Sequence, residues 1–422
     1  MPRLEFDGKQ YPDGASSDPV ALGWMLGTPP LAGKRILFET DRFFDFPQIR
    51  WTLSHMRELV PTTSVWRGTT SARSLSSPEP ARMSSIDALE FEDLNGRRLK
   101  WADSLSSTYT DGIIVLHRGV NVYERYFGAL VPHRQHACFS IAKSYAATLA
   151  ATLVYERALD EKRTVVHYLP EMAHTAYADA TLRDVLDMQV AVDFSEVYAD
   201  PSADIWQYGR AGGMRARSRD YAGAGNFYDY LVTLRKQGEH GAAFAYKTTN
   251  TEVLCWIMRR ATGLALADML SDRLWSRLGC EEDGYITVDS IGVASGGAGL
   301  YGCLRDLARF GEMMRCEGSC RGQQLIPAAV IDDIARGSDR AKFEKAGYTL
   351  LQGYSYRNMW WISHDALGVY EGRGIHGQRL YIAPRAEVVI ARFASHPVAA
   401  SAANDPITLP SFRMLARHLM GA

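Results

Sequence analysis

Cysteine is scarce, with six residues in a chain of 422, and Cys138, Cys255, Cys280 and Cys303 stand alone in mixed or apolar stretches. So few exclude a disulfide-stapled scaffold and read as a reduced, cytoplasmic protein. Charge of either sign is not in surplus: 47 Lys and Arg face 48 Asp and Glu, a net charge of −1. No basic field exists to neutralise a phosphate backbone, so nucleic acid is not expected as a partner. Apolar runs are short. None reaches the ~18 residues of a membrane span, and the nearest, Ala146 to Val154, reads as a buried helix. The opening MPRLEFDGKQYPDGASSDP has no basic segment followed by an apolar one, so it does not read as a secretory signal. Also missing are a G-x-S-x-G elbow, a phosphate-binding GxxxxGK[ST] loop and a GxGxxG followed by an acid at dinucleotide spacing. No cofactor is implied. His133 and His136 lack a third ligand, and the Cys316–Cys320 pair lacks a second pair, so no metal site is expected.

What is present is an ordinary globular composition, 46% hydrophobic, 23% charged and 11% aromatic. Residues 1–90 form a turn-rich N-terminal extension with a Ser/Pro-rich loop from Gly68 to Ser85. GIIVLHRG and VNVYERYFG, parted by Arg118-Gly119, predict a hairpin. SIAKSYAATLAATLVYERALD then predicts a buried helix from near Ser140. Residues 161–344 show mostly helical spacing, as in NTEVLCWIMRRATG and LRDLARFGEMMR. Strands return in RNMWWIS, GIHGQRLYIAP and EVVIARFAS, before a closing helix PSFRMLARHLMG. The pattern predicts an α+β protein, with residues 91–160 and 345–422 as one discontinuous domain interrupted by a helical lobe.

Ser140-Ile141-Ala142-Lys143 opens the buried helix. Residues three apart share a helix face, so the Lys143 amine can reach the Ser140 hydroxyl beside the unpaired N–H groups of a helix start. Burial lowers a lysine pKa, and only a neutral amine accepts the serine proton. In FAYKTTNTEVL, Tyr246 sits just before a helix, with Asn250 four residues on. In Gly374-Ile375-His376-Gly377-Gln378, on a C-terminal strand, the glycines permit close approach of another backbone. The N–H groups of Ser140 and Ile375 then make a two-donor oxyanion hole.

These three motifs in this order resemble the serine β-lactamase and penicillin-recognising family over roughly residues 90–420, and its branch of 6-aminohexanoate-dimer (nylon-oligomer) hydrolases in particular. The resemblance implies a transpeptidase-like antiparallel sheet flanked by terminal helices with an inserted all-α lobe. It implies a catalytic set of Ser140, Lys143 and Tyr246, with the backbone of Ser140 and Ile375 at the oxyanion. The nylon-dimer enzymes close an aromatic loop over the substrate and donate a tyrosine hydroxyl to the leaving amine. Tyr198, in VDFSEVYADPSADIWQY, lies where that residue is expected, ahead of Trp206 and Asp204. Asn250, His376 and Gly377 complete the expected substrate contacts.

Two departures set the chain apart from the antibiotic relatives. The strand Lys-Thr-Gly that clamps a drug carboxylate is replaced by Ile375-His376-Gly377. The middle Tyr-x-Asn becomes Tyr246-Lys247-Thr248, with Asn250 displaced by two. The resemblance thus implies a serine hydrolase acting through an acyl-enzyme on short linear amides such as 6-aminohexanoate oligomers. An esterase, a transacylase and a slowly deacylating acyl-binding protein share the motifs. The partner is a small-molecule amide or ester, and a homodimer is left open.

Overall fold

The hairpin expected around Arg118-Gly119 forms. In the computed structural model, which describes residues 4–6, 8–72 and 74–421, β1 (Thr110–His117) pairs antiparallel with β2 (Val120–Tyr126), His117 opposite Val120. Both loop residues take positive φ, 52° at Arg118 and 76° at Gly119, the two-residue turn whose twist matches that of its strands. Five later strands complete a sheet of seven: β3 (Ser355–Arg357), β4 (Trp360–Ile362), β5 (Tyr370–Gly374), β6 (Gln378–Ala383) and β7 (Val388–Ala394). The order is β3-β4-β5-β6-β7-β1-β2, antiparallel throughout. The early hairpin therefore closes onto the last strand of the chain, and the sequence between them is an insertion.

Alternation along the strands feeds two cores. On β1, Ile114 and Leu116 face a layer that includes α1 (Ile141–Tyr155), α2 (Thr249–Thr262) and α3 (Leu304–Arg315). Ile113 and Val115 face the other way, onto Trp101, Leu105 and the Phe412, Leu415 and Leu419 stripe of α4 (Asp405–Met420). A large aliphatic side chain so buried contributes roughly 1.5–3 kcal/mol, which fixes the register of every strand. A third cluster joins Phe43, Ile49, Trp51, Leu53 and Met56 to Phe139, Tyr285 and Tyr301. Part of the N-terminal stretch is thus packed directly beneath the residue before Ser140.

Two segments depart from the sequence reading. Gly284–Thr287 and Leu300–Gly302, inside the stretch expected to be helical, are strands of a second, four-stranded sheet with Thr62–Val65 and His136–Ala137. Their apolar runs are too short to carry a helical period, and Gly284 lies against Trp275, where a Cβ would stand 3.1 Å from the indole. The second departure is Gly374–Gln378. Strand β5 ends at Gly374, and Ile375–Gly377 form a single tight turn into β6, with φ of 60° at His376 and 97° at Gly377.

Candidate active site

Helix α1 lies almost wholly inside the protein, because its alanine-rich sequence offers small side chains on every face. Ser140 stands at its head, next to Phe139 at φ 45°. A left-handed phenylalanine costs of order 1–3 kcal/mol; packing against Phe44 and His376, at ring separations of 6.2 and 5.7 Å, holds it there. One turn on, the Lys143 amine is buried and donates to Ser140 Oγ at 2.9 Å and to the Gly297 carbonyl at 2.6 Å. Desolvation lowers its pKa to about 8, although Glu196 and Glu252 pull in the other direction. Near neutrality a useful fraction of the amine is therefore free to accept a proton.

Tyr246, half-buried just before α2, brings its ring to 5.2 Å from the Lys143 amine. It stacks on Trp361 at 5.5 Å and meets Tyr356 edge-on. Burial, followed by the negative charge of Glu196, raises its phenol well above the usual tyrosine range, with a hydrogen bond to Ser140 pulling back. Tyr246 is thus a neutral phenol, fit to donate a proton and poorly fit to take one from serine.

The third motif arrives by close approach of backbones. A Cβ on Gly374 would stand 2.8 Å from the Cys138 carbonyl oxygen, so only glycine lets the end of β5 lie against the chain entering Ser140. Ser140, Tyr246, Tyr198 and Ile375 line one cavity of about 340 Å³, a size suited to a small substrate. The tight turn takes His376 and Gly377 out of it. His376 Nδ1 lies 2.7 Å from the His396 carbonyl, and Gly377 packs against Ala394, its own carbonyl accepting from Arg392.

Asn250 is likewise absent from the cavity wall. It is fully buried in α2, its amide donating to Met188 Sδ at 3.2 Å. Two residues along a helix rotate a side chain by about 200°, so the displaced Asn faces away from the position its family counterpart would hold. Thr248 occupies that place, and its N–H and hydroxyl both donate to Glu196 at 2.7 Å.

A sequence profile of the family Beta-lactamase matches residues 106–409. The chain belongs to that family. It is 33% identical over 391 residues to the 6-aminohexanoate-dimer hydrolase of Paenarthrobacter ureafaciens, covering 92% of this chain and 91% of that one. A Bacillus anthracis protein provisionally named a 6-aminohexanoate-dimer hydrolase superposes with a TM-score of 0.82 at 30% identity, over 90% of this chain and 96% of its own. EstCE1, a hydrolase with promiscuous acyltransferase activity, shares the fold at 14% identity and a TM-score of 0.59, over 80% and 98% of the two chains.

Within this beta-lactamase family site, several lining residues escape sequence reasoning. Glu196 accepts the Tyr198 hydroxyl at 2.7 Å, and it stands in the loop flagged for its aromatics. Arg373 lies two residues before Ile375, over the Trp361 ring at 5.1 Å and bonded to Glu371 and Asp405. Its position next to the GIHGQ glycines was the available signal. Trp206 and Asp204 brace the loop instead of lining the cavity: the indole donates to the Asp200 carbonyl, and Asp204 accepts from the Ser195 N–H. His136 is structural, stacked on Phe393 at 4.7 Å and 3.3 Å from Asp111. Among the described residues, no helix is long and apolar enough to cross a membrane.

Proposed function

We propose that the chain is a serine hydrolase that opens short linear amides, such as 6-aminohexanoate oligomers, through an acyl-enzyme on Ser140. The observation that carries this reading is the buried Lys143 amine, lowered toward neutrality, 2.9 Å from the Ser140 hydroxyl at the wall of a cavity.

In the proposed course, neutral Lys143 takes the Ser140 proton as Oγ bonds to the amide carbon. The N–H groups of Ser140 and Ile375 hold the oxyanion, an arrangement whose single donors contribute about 3–4 kcal/mol each in comparable sites. The C–N bond then breaks as the Tyr246 phenol passes its proton to the leaving nitrogen and recovers one from the Lys143 ammonium. Tyr198 is a second donor once its hydroxyl leaves Glu196. Water enters by the same route in reverse, releasing the acid and free Ser140.

The cavity wall supports a substrate with an ammonium end. Of the charged side chains lining it, Arg373 is engaged by Glu371 and Asp405, and Asp405 also by Arg379, which leaves the Glu196 carboxylate to face such an end.

The test is amine release from the linear dimer of 6-aminohexanoate, beside a p-nitrophenyl short-chain ester, with Ser140→Ala as control. Serine-dependent turnover of both substrates is expected. Ester cleavage alone would remove the amide assignment, and parental turnover by Ser140→Ala would remove the nucleophile.

A further inference from the structure

Glu252 is a buried carboxylate that none of the steps above uses. It sits in the first turn of α2, 3% exposed, and accepts four hydrogen bonds. The donors are the Tyr208 hydroxyl at 2.5 Å, the Ser295 hydroxyl at 3.0 Å, and the N–H groups of Gly296 at 3.0 Å and Gly297 at 2.9 Å. Three of the four belong to one short segment, and that segment ends in the carbonyl that receives the Lys143 amine.

The segment has no slack. A Cβ on Gly296 would fall 2.2 Å from Cys255 Sγ, and one on Gly297 would fall 2.6 Å from Thr248 Cγ2 and 3.0 Å from Glu252 itself. Burying a carboxylate costs several kcal/mol unless its lone pairs are met, and here all the compensation comes from fixing this loop and Tyr208. We infer that Glu252 is a positioning residue for Lys143: its carboxylate anchors Ser295–Gly297 so that the Gly297 carbonyl holds the amine against Ser140. This inference rests on the proposed acyl-enzyme reading.

Glu252 also acts on Lys143 through space. The titratable groups facing the amine are Glu196 from the loop, Glu252 and Cys255 from α2, and Tyr246. Those facing Glu252 are Tyr208, Cys255 and Lys143. Glu252 favours the protonated amine, so its neutralisation lowers the lysine pKa further.

The experiment compares the full-length parent with Glu252→Gln on a p-nitrophenyl ester, recording kcat, KM and the pH dependence of kcat/KM. The amide keeps the shape, but its NH2 confronts an N–H that the carboxylate had accepted. The expected result is a kcat lower by roughly 100-fold, as a 1 Å misplacement produces, with KM nearly unchanged and the acid limb moved to lower pH. A loss of packing alone does not move that limb. Folded Glu252→Gln with parental kcat and an unmoved limb overturns the inference, while an inactive Ser140→Ala leaves the acyl-enzyme reading standing. Parental activity in Ser140→Ala overturns both. Should Glu252→Gln fail to fold, Ser295→Ala and Tyr208→Phe each remove a single donor. A lowered kcat at unchanged KM in both supports the inference, and parental kcat in both overturns it.

Discussion

Lys143 carries the chemistry and a cost to the fold. Its pKa of about 8 lies below the unperturbed 10.5, so the folded state disfavours the ammonium and the unfolded state does not. The penalty is full below about pH 8 and vanishes as pH rises through 10.5, a span of about 3 kcal/mol. Lys143→Met removes this titration. Urea unfolding of parent and variant from pH 7 to 11 should show the parent gaining about 3 kcal/mol relative to the variant; a constant difference would mean that the amine is not depressed. The same ionisation predicts a kcat/KM that rises with pH up to about 8. Ser140 and Lys143 were legible because their spacing is local and places both on one helix turn. Asn250 misled because a helix converts a two-residue displacement into slightly more than half a rotation, which only the start of α2 at Thr249 reveals.

The site also depends on how its elements meet. Strand β5 reaches the chain before Ser140 only because Gly374 has no side chain, and its φ of −126° is one that any residue adopts. Gly374→Ala therefore tests close approach without backbone strain. The methyl carbon would lie 2.8 Å from the Cys138 carbonyl oxygen, and the expected outcome is about 1–3 kcal/mol of lost stability with a larger fall in kcat than in substrate affinity. Parental kcat would show that the Ile375 N–H is not needed at the oxyanion. The glycines of this motif announced the approach but not the turn. Alternation carries a strand pattern only to Gly374, and the left-handed His376 is stabilised by the distant His396 carbonyl, which local sequence does not disclose.

At the scale of the whole molecule, local pattern made the hairpin, the long buried helices and the closing helix readable, through alternation in the strands, an apolar stripe on the closing helix and small apolar residues on every face of α1. The sequence pattern joined residues 91–160 with 345–422 in one domain, but which strand pairs with which was not readable. That β1 joins β7 across about two thirds of the chain, that Thr62–Val65 enters a sheet with Gly284–Thr287, and that the segment around Phe43 and Trp51 supports Phe139 are contacts between distant stretches with no shared local signal. The cavity depends on that closure, since Ser140, Glu196, Tyr246 and Arg373 come from four separate parts of the sequence. Its most direct test is rapid quenching of the protein with a p-nitrophenyl ester, followed by intact-mass and peptide mapping. The account predicts one acyl group per chain, located on Ser140 and absent from Ser140→Ala. Turnover with no adduct, or an adduct on another residue, would contradict it.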